Sequence, residues 1–291
     1  MSISLIESKM KADQSSNINY KDITMILKTK KVNEGYWKIS ISNPPINLFG
    51  PEFSEELMAL MDEMEASEDI KVVVFESENP EFFISHVDIV RASEFPKGEG
   101  KTGLSRSWPD VAKRLEQAPF ASIASIRGRA RGLGSEFIQA MDMRFASKEK
   151  AVFGQPEIGI GAFPGGGGVE RLHFLTGKSR ALEILLGGDD YDADTAAAYG
   201  WVNRAFPDSE LDAFVDNLAR RIASFDKKNI AAIKSMINER APLPKNEHIM
   251  ETQTKFFEAL TQPEAGKRIR TLMEKGLQTY GDAELNFGKY I

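Results

Sequence analysis

The stretch Ala124-Ser-Ile-Arg-Gly-Arg-Ala-Arg-Gly-Leu-Gly-Ser-Glu136 decides the fold. Ala121 to Ile126, which follows Pro119 and runs into this stretch, reads as a strand, and the glycines from Gly128 to Gly134 read as a tight turn in which main chain can approach a ligand closely. Phe137, Ile138 and Met141 follow with helical spacing, which predicts a helix over residues 134–141. Strand, glycine turn and helix in succession are the unit of a layered α/β protein. The amide of Leu133 falls near the start of that helix, where exposed N–H groups and the helix dipole favour a developing negative charge.

Upstream, Ile23 to Leu27 and Tyr36 to Ile41 read as a strand pair turning at Asn33-Glu34-Gly35. Asn43-Pro44-Pro45 stops extended structure, and Gly50-Pro51 opens a helix whose buried face is Leu57, Leu60, Met61 and Met64. The β-branched run Ile70 to Phe75 has the pattern of a strand covered on both sides. Trp108, Val111, Ala112 and Leu115 mark another helix, closed by Pro119. Downstream, Met143 to Ala146 and Ala151 to Phe153 read as short strands. After Gly165-Gly-Gly-Gly168 the chain is helical apart from a strand at Trp201 to Phe206. Leu211, Phe214, Val215, Leu218 and Ile222 form one apolar stripe, and Ile230, Ile233 and Ile237 another. No period of 20 to 50 residues signals a repeat array. The expected organisation is an extension over 1–22, an α/β core over 23–206 and a helical region over 207–291, with Arg204 to Pro207 as the boundary and Pro242-Leu-Pro244 as a second articulation.

The chain has 291 residues, 42% hydrophobic and 27% charged, enough to bury a sizeable core and incompatible with wholesale disorder. Its 37 basic and 43 acidic side chains leave a net charge of −6, which disfavours nucleic-acid or membrane partners. No cysteine is present, so disulfides, thiolate metal sites and a thiol nucleophile are excluded. No apolar run approaches the ~20 residues of a membrane span. The first 22 residues lack a signal-peptide pattern and the terminal Lys289-Tyr290-Ile291 is not a peroxisomal address, so a cytoplasmic location is expected.

Several motifs fail on spacing. Gly177-Lys178-Ser179 lacks the phosphate-loop glycine at 172, which is leucine. Ser135 lacks the glycines of a nucleophile elbow, having Leu133 and Phe137 instead. His86, His173 and His248 show no metal-binding spacing, so no metal is expected. Gly132-Leu-Gly134 lacks the third glycine of a dinucleotide fingerprint, because that position is Phe137.

Two carboxylates survive this sorting: Glu136, directly after Gly132-Leu-Gly-Ser, and Glu157, in Phe153-Gly-Gln-Pro-Glu157. With Phe163-Pro-Gly-Gly-Gly-Gly168, Glu81-Phe-Phe-Ile-Ser-His-Val-Asp-Ile89 and Asp192-Ala-Asp-Thr-Ala-Ala-Ala-Tyr-Gly-Trp-Val202, in that arrangement, the chain resembles the crotonase (enoyl-CoA hydratase/isomerase) superfamily from about Ile23 onward. The resemblance implies an α/β spiral of ββα units followed by helices that build a homotrimer or homohexamer. It places backbone oxyanion donors at Ser85 and Leu133 and the hydratase acid and base at Glu136 and Glu157. Ile84, His86, Gly134 and Phe163 fall beside the acyl group, and Phe287 and Lys289, in Asn286-Phe-Gly-Lys289, near coenzyme A. The implied partner is an acyl-CoA thioester, and no cofactor is implied beyond the coenzyme A of the substrate.

Hydration of a 2-enoyl thioester needs oxygen at C3, a proton at C2 and donors for the charge on the carbonyl oxygen. Such donors are each worth ~3 to 4 kcal/mol, a larger effect than the ~10²- to 10⁴-fold from an acid or base. Two carboxylates sharing one water cannot both ionise cheaply, so one should hold a proton, and the sequence leaves open which. In the resemblance Leu133 stands at a position usually glycine, so its side chain must point away or narrow the acyl tunnel, and in the second case large acyl groups are expected to be excluded. Arg127, Arg129 and Arg131 suit either interface pairing or recognition of an anionic group. Trp37, Trp108, Phe163 and Trp201 are expected in the core or tunnel wall. Besides hydration, double-bond isomerisation, thioester hydrolysis, cyclisation and non-catalytic CoA binding remain compatible with the sequence.

Overall fold

Alternation along one strand shows how the chain is layered. In β3 (Val72–Ser77), Val72 and Val74 face one apolar cluster while Val73 and Phe75 face another, and all four are fully buried. That is the expected state of a parallel strand covered on both sides. The computed structural model describes residues 25–241 and 243–291. Its main sheet runs β1 (Leu27–Asn33), β2 (Tyr36–Ile41), β3, β5 (Ala121–Ile126), β7 (Met143–Ser147), β10 (Arg204–Phe206). The β1–β2 pair is an antiparallel hairpin and the remaining neighbours are parallel.

A smaller sheet runs β4 (Phe82–Ile84), β6 (Arg129–Arg131), β8 (Val152–Gly154), β9 (Asp190–Asp192), with only the last pair antiparallel. Consecutive strands alternate between the sheets: β3 leads to β4, β5 to β6 and β7 to β8. Each couple precedes a helix, respectively α2 (Trp108–Gln117), α3 (Leu133–Gln139) and α4 (Gly168–Thr176). This is the spiral of ββα units that the sequence resemblance implies. On one face of the main sheet α1 (Pro51–Ala66) buries Leu57, Leu60, Met61 and Met64.

The other face is closed by α7 (Asp208–Ala223), whose Leu211, Val215 and Ala219 join Val72, Val74, Ile123 and Phe206. Fully burying Leu211 or Val215 contributes about 1.5–3 kcal/mol each, so this helix is part of the sheet's own core although it follows the expected boundary at residue 207. Between α4 and α7 lie α5 (Lys178–Gly187) and α6 (Ala193–Tyr199). Beyond α7, α8 (Lys227–Arg240) precedes α9 (Asn246–Leu260), α10 (Pro263–Glu274) and α11 (Asp282–Leu285). A third apolar cluster of Ile160, Ala162, Leu272, Leu277 and Phe287 joins these last helices to the turn after β8.

Some expectations shift. The first strand begins at Leu27 rather than occupying Ile23 to Leu27, because Leu27–Asn33 is a lysine-rich edge strand whose polar face masks its extended conformation. Ile23, Thr24, the 1–22 extension and Pro242 of the second articulation lie outside the described residues. The strand expected from Trp201 starts at Arg204; Trp201 and Val202 are buried in a turn whose amides donate to Ala196 O. No residue of α8 is buried, and Ile233 and Ile237 are more than half exposed. Among the described residues no helix is long and apolar enough to cross a membrane.

Candidate active site

Three neighbouring parallel strands of the smaller sheet, β4, β6 and β8, end on one edge. Their C-terminal ends deliver Ser85–Asp88, the start of α3 and the 3₁₀ turn Pro156–Ile160. Ligands in parallel α/β sheets gather at such an edge. Two glycines make the convergence possible. Gly132 holds φ +50°, where a side chain is strained, and a Cβ there would lie 3.2 Å from Oε1 of Glu157. A Cβ at Gly134 would strike the carbonyl of Ile84, so only glycine lets α3 start against the end of β4.

The edge opens into a cavity of about 450 Å³. Glu136 and Glu157 both line it, with Leu133, His86 and Phe287. Trp108, Phe95, Phe256, Phe257, Leu260 and Leu277 make most of the remaining wall apolar.

Glu136 is 3% exposed, and its Oε1 accepts from the amides of Gly166 at 2.8 Å and Gly168 at 2.9 Å. The Gly166 peptide is itself clamped, because its carbonyl accepts from Trp108 Nε1 at 3.2 Å and Arg171 Nη1 at 3.0 Å. Arg171 is held in turn by Glu116 at 2.6 Å. Burial, followed by the charge of Glu157, pushes the Glu136 carboxyl up to about 8 against the pull of the two amides. Glu157 is pushed up to about 7 by burial, opposed by hydrogen bonds and by the nearby His86. Gln155 Nε2 lies 3.1 Å from each Glu157 oxygen, and Gln139 on α3 donates to Gln155 Oε1 at 2.9 Å. One amide chain therefore ties the elements that carry the two acids.

His86 is buried on the cavity wall, with Nε2 2.9 Å from Oε1 of Glu284 and Nδ1 2.9 Å from the carbonyl of Val87. Burial alone would lower its pKa, but the Glu284 charge and hydrogen bonds outweigh it and hold it above the ordinary value.

Of the residues singled out from sequence, Glu136, Glu157, Leu133, His86 and Phe287 come together here. Leu133 opens α3, where its amide has no intrahelical acceptor, and its side chain lines the cavity without closing it. Ser85 is fully buried behind the wall, and its amide faces the carbonyl of Asn47 at 3.4 Å because residues 47–49 run alongside its loop. Ile84 and Gly134 sit in the packing beneath, half-buried Phe163 lies off the wall, and Lys289 is exposed beside Asn286.

Arg127 pairs with Asp208 and Asp212, Arg129 donates to the carbonyls of Leu285 and Glu81, and Arg131 pairs with Asp190 and donates to Glu284 O. All three bind the chain to itself, and none lines the cavity. Trp108 lines the cavity, whereas Trp37 and Trp201 are core. Sequence reasoning passed over Gln139, Gln155, Glu284 and the α9 aromatics. Gln155 had a signal, standing two residues before Glu157, whereas Glu284 meets His86 across 198 residues.

A buried acid and a half-buried one, both with raised pKa values at one apolar cavity, can hold and exchange a proton near neutral pH, beside a helix-start amide able to receive negative charge. The sequence profile of the enoyl-CoA hydratase/isomerase family matches residues 31–284. The crystal structure of a "putative enoyl-CoA hydratase" from Streptomyces avermitilis superposes with a TM-score of 0.86 at 39% identity, covering 94% of this chain and 98% of that one. The short-chain-enoyl-CoA hydratase of Clostridium acetobutylicum is 31% identical over 202 residues, 69% of this chain and 76% of that protein. The fatty acid oxidation complex subunit alpha of Aliivibrio fischeri is 30% identical over 210 residues, 72% of this chain and 30% of that subunit, so the chain spans under a third of that relative. The chain belongs to the enoyl-CoA hydratase/isomerase family.

Proposed function

We propose that the protein hydrates a 2-enoyl-CoA thioester to the 3-hydroxyacyl product. The observation that carries this reading is the pair of buried Glu136 and half-buried Glu157, both lining one cavity and both raised in pKa. A pair in which one carboxyl is protonated and the other ionised supplies both halves of the reaction: a base that takes a proton from water as its oxygen bonds to C3, and an acid that protonates C2. The Leu133 amide supports charge on the thioester oxygen, whereas the Ser85 amide donates to Asn47 O at 3.4 Å behind the wall and can serve as a second donor only by giving up that contact.

Coenzyme A enters as part of the substrate, and the reaction consumes no other cofactor. A trimeric or hexameric assembly belongs to the same reading, supported by the exposed apolar stripe of Ile233, Met236 and Ile237 on α8, and a cytoplasmic location is proposed with it. The test is product mass from a series of 2-enoyl-CoA thioesters. Gain of one water supports hydration, an unchanged mass with a moved double bond supports isomerisation, and free coenzyme A supports thioester hydrolysis. Absence of any product across chain lengths contradicts an enzymatic role.

A further inference from the structure

The imidazole of His86 stands between two acceptors. Val87 O can only accept, so Nδ1 donates to it. Nε2 faces Glu284 Oε1, which also accepts from the Gln278 amide at 2.6 Å, an arrangement that suits a carboxylate and leaves the ring with both protons. Glu284 is fully buried, and its other oxygen has no partner among the described residues, so a neutral ring would leave its charge only Arg131, which already pairs with Asp190.

The neighbours make this ion pair more than packing. Gln278 Nε2 donates to Asp88 at 3.0 Å and its Oε1 accepts from the Val90 amide, so the segment carrying Glu284 is stitched to the loop carrying His86 at two points. The Phe287 ring lies 6.3 Å from the His86 ring, and both line the cavity. Gly132 separates His86 from Glu157: a Cβ there would lie 3.4 Å from His86 Cβ and 3.2 Å from Glu157 Oε1.

We propose that His86 is a positioning residue: as an imidazolium held between Val87 and Glu284, it fastens the C-terminal segment 278–287 against the cavity and sets a fixed positive charge beside Glu157. The charged groups facing it are Glu284 on α11, Arg131 on β6 with its partner Asp190 on β9, and Glu157 on the 3₁₀ turn, while Asp88 on its own loop is taken up by Gln278 and the amides of Val90 and Arg91. Gly132 stands between His86 and Glu157, and Glu157 lines the same cavity as Glu136, so the cation on His86 biases how the two acids share their proton.

The protein has only three histidines, so ¹H–¹⁵N spectra of the ring nitrogens resolve each one. His86→Asn assigns the signal. Both His86 nitrogens are expected to carry protons at pH 7.5 in the wild type and in Glu284→Asp, and only one in Glu284→Gln. A single ring proton in the wild type at that pH overturns the proposal. The kinetic arm rests on the hydratase reading, whereas the spectroscopic arm does not. With a turned-over enoyl-CoA, the acidic limb of kcat/KM moves up by roughly one pH unit in His86→Gln and Glu284→Gln and stays in place in Glu284→Asp. A limb that stays put in both amide variants while both remain folded by circular dichroism also overturns it.

Discussion

The amide of Gly166 donates to Oε1 of Glu136 at 2.8 Å while the carbonyl of the same residue is pinned by Trp108 and Arg171. A buried acid is thus aimed by the amide of a glycine whose following peptide two other side chains hold in place. Trp108→Phe keeps the ring and loses one of these bonds. We expect kcat to fall about tenfold with KM within about twofold, as for loss of orientation in the transition state. Steady-state kinetics on a 2-enoyl-CoA check this, and an unchanged kcat refutes it.

Burial raises both acids, so the folded protein binds more protons than the unfolded chain between the ordinary carboxylate pKa and the raised one. Stability therefore falls as pH rises through that window, by about 1.4 kcal/mol for each unit of pKa displacement. Glu136→Gln keeps an acceptor for Gly166 and Gly168 and removes the charge. Its melting temperature should exceed that of the wild type at pH 8.5 by several degrees and match it near pH 4.5. Equal melting temperatures at both pH values contradict the raised pKa.

Arg131 is 1% exposed and pairs with Asp190. Asp190→Asn leaves a buried guanidinium short of its charge partner, a change that costs about 3 kcal/mol. Chemical denaturation should show this as a lower midpoint with an unchanged slope.

The parts of the fold legible in the sequence were those in which one physical signal dominates. Ala121–Ile126 matches the observed β5 because Pro119 ends the preceding helix and the six small and β-branched residues that follow are too few for another helix before Gly128. The start of α3 was within one residue because glycine punctuates it. The alternating lysines of Leu27–Asn33 hid β1, since an edge strand with one wet face lacks an apolar run. At the site, Glu136 and Glu157 stood out by their glycine-rich and proline-rich settings. Glu284 had no local signal, since its role exists only through a contact with His86 from the far end of the chain. The fates of Arg127, Arg129 and Arg131 were equally hidden, because all their partners are distant in sequence.

A cavity of about 450 Å³ walled by Trp108, Phe95, Phe256, Phe257 and Leu260 rewards apolar length in the acyl group. Each buried methylene contributes about 0.8 kcal/mol, so 2-octenoyl-CoA should show kcat/KM at least tenfold above crotonyl-CoA. Phe256→Ala should shrink that ratio. A preference for crotonyl-CoA contradicts this prediction and places Leu133 as a barrier across the cavity.

The account rests on two acids working on one water molecule. Glu136→Gln and Glu157→Gln should each lower kcat for enoyl-CoA hydration by about 10²-fold or more, leave KM within a few-fold, and retain the wild-type circular dichroism spectrum. Near-wild-type turnover by either folded variant contradicts the mechanism.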